Sequence, residues 1–119
     1  MKVFVLSLIL LALAISLVLI NVCYVKRTTD TLLSLADEVH ADPSQKTVGR
    51  LSEYWDEHRS TLALSVSLRD IDSVTESLLN LQTASLEKNE WLIEQSYALF
   101  RNALEDIRRY ETLSIINIF

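Results

Sequence analysis

The sequence predicts an all-α protein: an N-terminal transmembrane helix followed by a small antiparallel helical bundle of three to four helices. Three observations carry this reading. Residues 3–25 are 23 consecutive uncharged positions, 16 of them Val, Ile, Leu or Phe. Beyond them, apolar residues recur at alternating spacings of three and four, the signature of a helix that buries one stripe. Finally, a single Gly (Gly49) and a single Pro (Pro43) in 119 residues leave little material for tight hairpins, phosphate-binding glycine loops or a proline-rich linker.

The apolar run at about 1.5 Å per residue covers roughly 35 Å, against a hydrocarbon core of about 30 Å, so it is long enough to cross with some tilt. A cleaved signal peptide would have a shorter apolar region and a small-x-small exit, whereas this run closes with Asn21, Val22, Cys23 and Tyr24. Acylation of Cys23 would want small residues where Ile20, Asn21 and Val22 stand. The reading is therefore an uncleaved signal-anchor over residues 1–27 and an acidic helical domain over residues 28–119. Flanking charges nearly balance, Lys2 and the amino terminus against Lys26 and Arg27. Long downstream domains are exported largely regardless of such charges, and an apolar run starting at residue 3 looks like an export signal. The expectation is a single-pass protein of the cell membrane with its soluble domain extracytoplasmic.

After the anchor, Thr28, Thr29 and Asp30 offer N-cap chemistry ahead of Leu32, Leu35 and Val39, in a helix that either starts there or continues the transmembrane one. Asp42 as N-cap, Pro43 at the first helical position and Gln45 three residues on predict a restart. The second helix then runs to about Val66, with Val48, Leu51, Trp55 and Leu62 on one face. Ser67 and Asp70 predict the next start, followed by Ile71, Val74, Leu78, Leu81 and Ser85 in a third helix ending near Lys88. Asn89 is the junction to a fourth helix carrying Ile93, Tyr97, Phe100, Leu104 and Ile107. Short connections between such helices make antiparallel neighbours of them. Two stacked helical hairpins are the second architecture, because Trp55 and Trp91 stand 36 positions apart, but the residues around them match poorly and no repeat is assigned.

Charge and chemistry narrow the function classes. Of 11 Lys and Arg only Lys2 precedes the apolar run, while all 16 acidic residues follow it, so the domain carries 10 minus 16, or −6. Such a surface repels phosphate backbones, and nucleic acid is not an expected partner. Tyr54-Trp55-Asp56-Glu57-His58 has the tail of a zinc-binding His-x-x-Glu-His pattern but places Tyr54 where the first ligand belongs. The acidic residues there read as a solvated face, and His40 as a favourable partner of a helix C-terminus. No serine sits in a nucleophile elbow, and the pairs Asp37-Glu38 and Glu105-Asp106 point about 100° apart on a helix. No enzyme, metal or cofactor is expected. The candidate partner-binding residues are Trp91, which begins its helix, and Ile115, Ile116, Ile118 and Phe119 of an apolar tail. That tail, residues 113–119, either packs back onto the bundle or docks on a membrane partner or the bilayer surface.

Several stretches together resemble the bacterial domain-of-unknown-function 4363 family: the anchor followed closely by Thr29-Asp30-x-Leu32-Leu33, Trp55 in the second helix, Asp70-Ile71-Asp72-Ser73-Val74-x-x-Ser77-Leu78-x-x-Leu81, and Glu111-x-x-Ser114-x-x-Asn117-Ile118-Phe119. The chain departs from the expected pattern in its low lysine content, with only Lys46 and Lys88 after Lys26. The resemblance implies an anchored helical extracytoplasmic domain without catalytic residues, and a multi-pass membrane protein as partner. The function expected on all these grounds is a non-catalytic interaction or structural module of the cell envelope. The alternative is a sensor-like helical domain binding a small ligand, which would need a concave apolar pocket between helices.

Overall fold

The computed structural model describes the backbone of residues 1–118 and the side chains of residues 1–110. Four helices follow one another: α1 (Lys2–Ala41), α2 (Gln45–Leu62), α3 (Leu68–Leu86) and α4 (Glu90–Ile118). Each packs against its neighbours in the chain, and α4 returns against α1, closing a ring of four. That closing contact makes this an up-down bundle. In two stacked hairpins of a solenoid, the first and last helices would not be the ones to meet.

The first helix is a single element of 40 residues, about 60 Å long at 1.5 Å per residue, in a molecule whose longest extent is 68 Å. Its N-terminal half stands clear of the bundle with Val3, Phe4, Leu6, Leu10, Leu17 and Ile20 exposed, and α1 is long and apolar enough to cross a membrane. Its second half supplies Val25, Leu32, Leu33, Ala36 and Val39 to the core. The expected cap at Thr28, Thr29 and Asp30 is not used. The Thr29 hydroxyl donates to the Val25 carbonyl at 2.7 Å and Thr31 to that of Arg27 at 3.0 Å, back-bonds that a threonine makes inside a continuing helix. No hinge separates the apolar shaft from the bundle.

The restart comes two residues later than the Asp42-Pro43 pattern predicts. Ser44 is the N-cap of α2 in a reciprocal capping box with Thr47, so Pro43 lies in the link and not in the first turn. Thr47 explains the shift, because its hydroxyl also donates to the Asp42 carbonyl at 2.7 Å, fixing the connection in place. At the other end α2 stops at Leu62, four residues before the expected boundary, in a turn closed by Ser65 and Val66 amides donating to the Leu62 carbonyl. Ser67 caps α3 as expected, accepting from the Asp70 amide. That helix ends two residues early, at Leu86. Lys88 takes the left-handed conformation with φ 54°, and the amides of Lys88 and Asn89 reach back to the carbonyls of Ser85 and Ala84, the hydrogen-bond pattern that closes many helices. Asn89 then opens α4 by accepting from the Leu92 amide.

The core is where the spacing puts it. Val48, Leu51, Trp55 and Leu62 from α2, Ile71, Val74, Leu78 and Leu81 from α3, and Ile93, Phe100, Leu104 and Ile107 from α4 are all buried with the α1 stripe. Leu35 and Tyr97 pack on it from the edge, partly exposed.

Candidate functional site

The densest set of polar contacts lies along the seam where α4 returns to α1. Asp37 accepts from the Tyr97 hydroxyl at 2.5 Å and from Arg101 Nη1 at 2.8 Å through the same oxygen. Arg101 also donates to the Tyr97 oxygen at 3.2 Å and stands 3.5 Å from Glu105. One turn up, the His40 ring stacks on Tyr97 with centroids 4.3 Å apart, and its Nε2 is 2.6 Å from Glu94. Two turns down, Asp30 pairs with Arg108. The recurrence is sevenfold on both helices, Asp30 and Asp37 against Glu94, Arg101 and Arg108. Residues seven apart return to the same helix face, so a straight charged border flanks the buried stripe on each side of the contact.

Chemically this seam is a fastener. Its groups are largely exposed, and ion pairs in that setting contribute between nothing and about 1 kcal/mol each. What they add is register, because sliding α4 by one turn would set Glu94 and Arg101 against the wrong partners. Tyr97 and Arg101 both titrate away from their ordinary values. The Tyr97 phenol is held above the ordinary value of 10.0, first because its hydroxyl donates to Asp37, with burial adding to the shift and Arg101 opposing it. Arg101 is in turn held more firmly protonated by its bond to Tyr97. Since the folded pKa of Tyr97 exceeds the unfolded one, its contribution to stability is complete below about pH 10 and is lost as pH rises through the folded value. The phenolate absorbance of the wild type minus that of Tyr97→Phe is therefore expected to have a midpoint above 10.0. A midpoint at or below that value would mean that the Asp37 bond does not persist in solution.

The other singled-out residues are dispersed. His58 is half-buried, stacked on Tyr54 at 4.0 Å and donating from Nδ1 to the Tyr54 carbonyl at 2.8 Å, while Asp56 and Glu57 face solvent. Trp55 is 1% exposed, and its indole N–H donates to the Thr75 hydroxyl at 3.0 Å. Trp91 is 68% exposed at the start of α4, at the end of the bundle away from the apolar shaft. Ile115, Ile116, Ile118 and Phe119 lie outside the residues whose side chains are described. Among the described residues no three of His, Cys, Asp and Glu gather as metal ligands. The concave features are open surface grooves with mixed linings, such as one of about 600 Å³ beside Ser52, Glu53 and Gln82 and one of about 530 Å³ beside Arg69, Asp70 and Asp106.

Sequence reasoning misses the seam. The sevenfold recurrence of Asp30 with Asp37 and of Glu94 with Arg101 and Arg108 is the one signal for it, and that signal gains meaning only when α1 and α4 are known to touch. Set against known protein families, curated proteins and solved structures, the chain matches none.

Proposed function

We propose that this chain is a membrane-tethered, non-catalytic interaction or structural module of the cell envelope, its bundle extracytoplasmic and its partner another membrane protein, multi-pass by the family resemblance. The observation that carries the reading is the continuity of α1 from Lys2 to Ala41. A helix without a break transmits orientation, so the bundle stands at fixed height and rotation on its anchor, as a spacer or docking post requires and a freely swinging domain does not. Trp91, exposed at the far end of that post, is the contact residue of choice, because a large rigid side chain left in water is what interfaces recruit. The small-ligand reading has less to rest on, since the grooves are open and lined by Glu53, Asp56, Asp70 and Asp106 as much as by apolar side chains.

Topology decides which partners can be met, and it is tested by reporters fused after residue 2 and after residue 119 of the full chain. Alkaline phosphatase active after residue 119 and fluorescent protein bright after residue 2 is the expected pair. The reverse pair places the bundle in the cytoplasm and removes the envelope partner.

A further inference from the structure

The structure assigns a second membrane contact to this chain: the shaft-side end of the bundle is built to seat on the anionic headgroup layer of the bilayer that α1 crosses. This rests on the tether proposed above and adds to it an orientation and a lipid chemistry.

The placement follows from five contacts. The hydroxyl of Ser65, in the α2–α3 turn, donates to Asn21 Oδ1 at 2.5 Å, and Asn21 lies within the uncharged run of residues 3–25. His58, one turn before the end of α2, has its ring 6.4 Å from that of Tyr24. Arg108 of α4 pairs with Asp30. At the opposite end Arg50 reaches Glu38 and His40 reaches Glu94. The bundle therefore has a proximal end, level with residues 21–30 of α1, and a distal end at the α1–α2 and α3–α4 links. About 20 helical residues cross the hydrocarbon core, so a run beginning at residue 3 reaches the headgroups near Asn21, where the α2–α3 turn sits.

Two kinds of side chain collect at that level. Leu64 and Leu68, on the turn and the first residue of α3, are 85% and 70% exposed, and Tyr110 of α4 is 64% exposed. Leucines at a turn tip have no fold reason to stand in water, and tyrosine favours the interface. Around them are six cations, Lys26, Arg27, Arg59, Arg69, Arg108 and Arg109, all exposed, out of the ten Lys and Arg that follow the apolar run. The carboxylates among them are Asp56 and Glu57 just before His58, Asp70 and Asp72 at the start of α3, Asp30 paired to Arg108, and Asp106 standing 3.8 Å from Arg109, so the described charges at this end balance. The distal remainder, by contrast, has only Lys46, Arg50, Lys88 and Arg101 among most of the acidic residues. The domain's excess negative charge thus lies at the distal end, while the end beside the anchor is near neutral and carries most of the cations. An anionic surface attracts each Lys or Arg held within a Debye length of it and repels the far acidic end, so the charge axis and the shaft axis reinforce one another.

The test uses the full chain with Cys23→Ser, reconstituted in phosphatidylcholine vesicles with and without phosphatidylglycerol, and a spin label on Leu64→Cys or, in a parallel protein, on the distal Leu86→Cys. In anionic vesicles the label at 64 should be several-fold less accessible to a water-soluble relaxant than the label at 86. Replacing Arg59, Arg69 and Arg109 by Gln should return it toward water. A label at 64 as wet as the one at 86 in both lipids overturns the seat, as does protection that grows with protein density, which would mean that a second copy covers the turn. Failure to co-float with vesicles is a different result, since it removes the tether and the seat together. Leu68→Cys repeats the measurement should Leu64→Cys perturb the turn.

Discussion

Replacing Trp55 by Ala is expected to destabilise the bundle by about 3–5 kcal/mol, the range for removing a buried large aromatic from a packed core. The side chain is 1% exposed, and it joins α2 to α3 with more than bulk. Its N–H donates to the Thr75 hydroxyl, which in turn donates to the Ile71 carbonyl at 2.9 Å. Truncation therefore leaves a cavity and removes the donor that Thr75 faces. A domain of this size is stable by about 5–15 kcal/mol, so about a fifth or more of the total goes with one residue. At roughly 4–8 °C per kcal/mol, the melting midpoint should fall by at least about 12 °C when followed by far-ultraviolet circular dichroism of the full chain in micelles. Fluorescence adds a check, because the remaining Trp91 is exposed and the blue-shifted part of the emission should vanish. Trp55→Phe keeps most of the volume and loses the N–H, and should cost about 1–2 kcal/mol. A loss below about 1 kcal/mol for the Ala variant would mean that the α2–α3 contact is not as drawn.

The place of Trp55 in the core is legible in the amino-acid sequence, and the reason is physical. Its stripe partners Val48, Leu51 and Leu62 recur at helical spacing, and burial follows wherever such a stripe has another to face. The same logic places Ile71, Val74, Leu78, Leu81, Phe100, Leu104 and Ile107. Helix ends are less legible, because several residues compete for each cap. Ser67 has no rival and caps α3 as its pattern predicts, while Asp42 with Pro43 gives way to Ser44 because Thr47 bonds both Ser44 and Asp42. Thr28 and Thr29 carry cap chemistry in any sequence, and only the unbroken backbone of α1, with the Thr29 hydroxyl bonded back to the Val25 carbonyl, shows that the helix runs through them. The α1–α4 seam is out of reach for another reason. Its two halves are 54 to 78 residues apart, from His40 with Glu94 to Asp30 with Arg108, and nothing local says which helix closes the ring. The proximal collar of cations shares that limit, since Arg59, Arg69 and Arg109 become neighbours in height only once the helices alternate in direction.

Arginine at both Leu11 and Leu13 is expected to release the chain from the membrane while leaving the bundle folded. Each substitution exchanges about −0.3 to −0.6 kcal/mol for about +2.5 to +3.5 near mid-membrane, a change of roughly 3–4 kcal/mol, so two approach or exceed what the whole apolar run gains. Neither leucine touches the core, which begins at Val25, and both are more than half exposed, 57% and 56%. Sites this far apart with no shared partner act independently, and the variant's bundle should melt with the wild-type midpoint even as the protein moves from the alkali-resistant membrane fraction to the soluble one. The comparison with Trp55→Ala is what gives the experiment its meaning, since that change should lower the midpoint and leave the protein in the membrane. If the double arginine chain stays membrane-integral, residues 3–25 are not what holds it. If it leaves the membrane but melts lower, the proximal end draws part of its stability from the lipid surface, because the leucines themselves contribute nothing to the packed core.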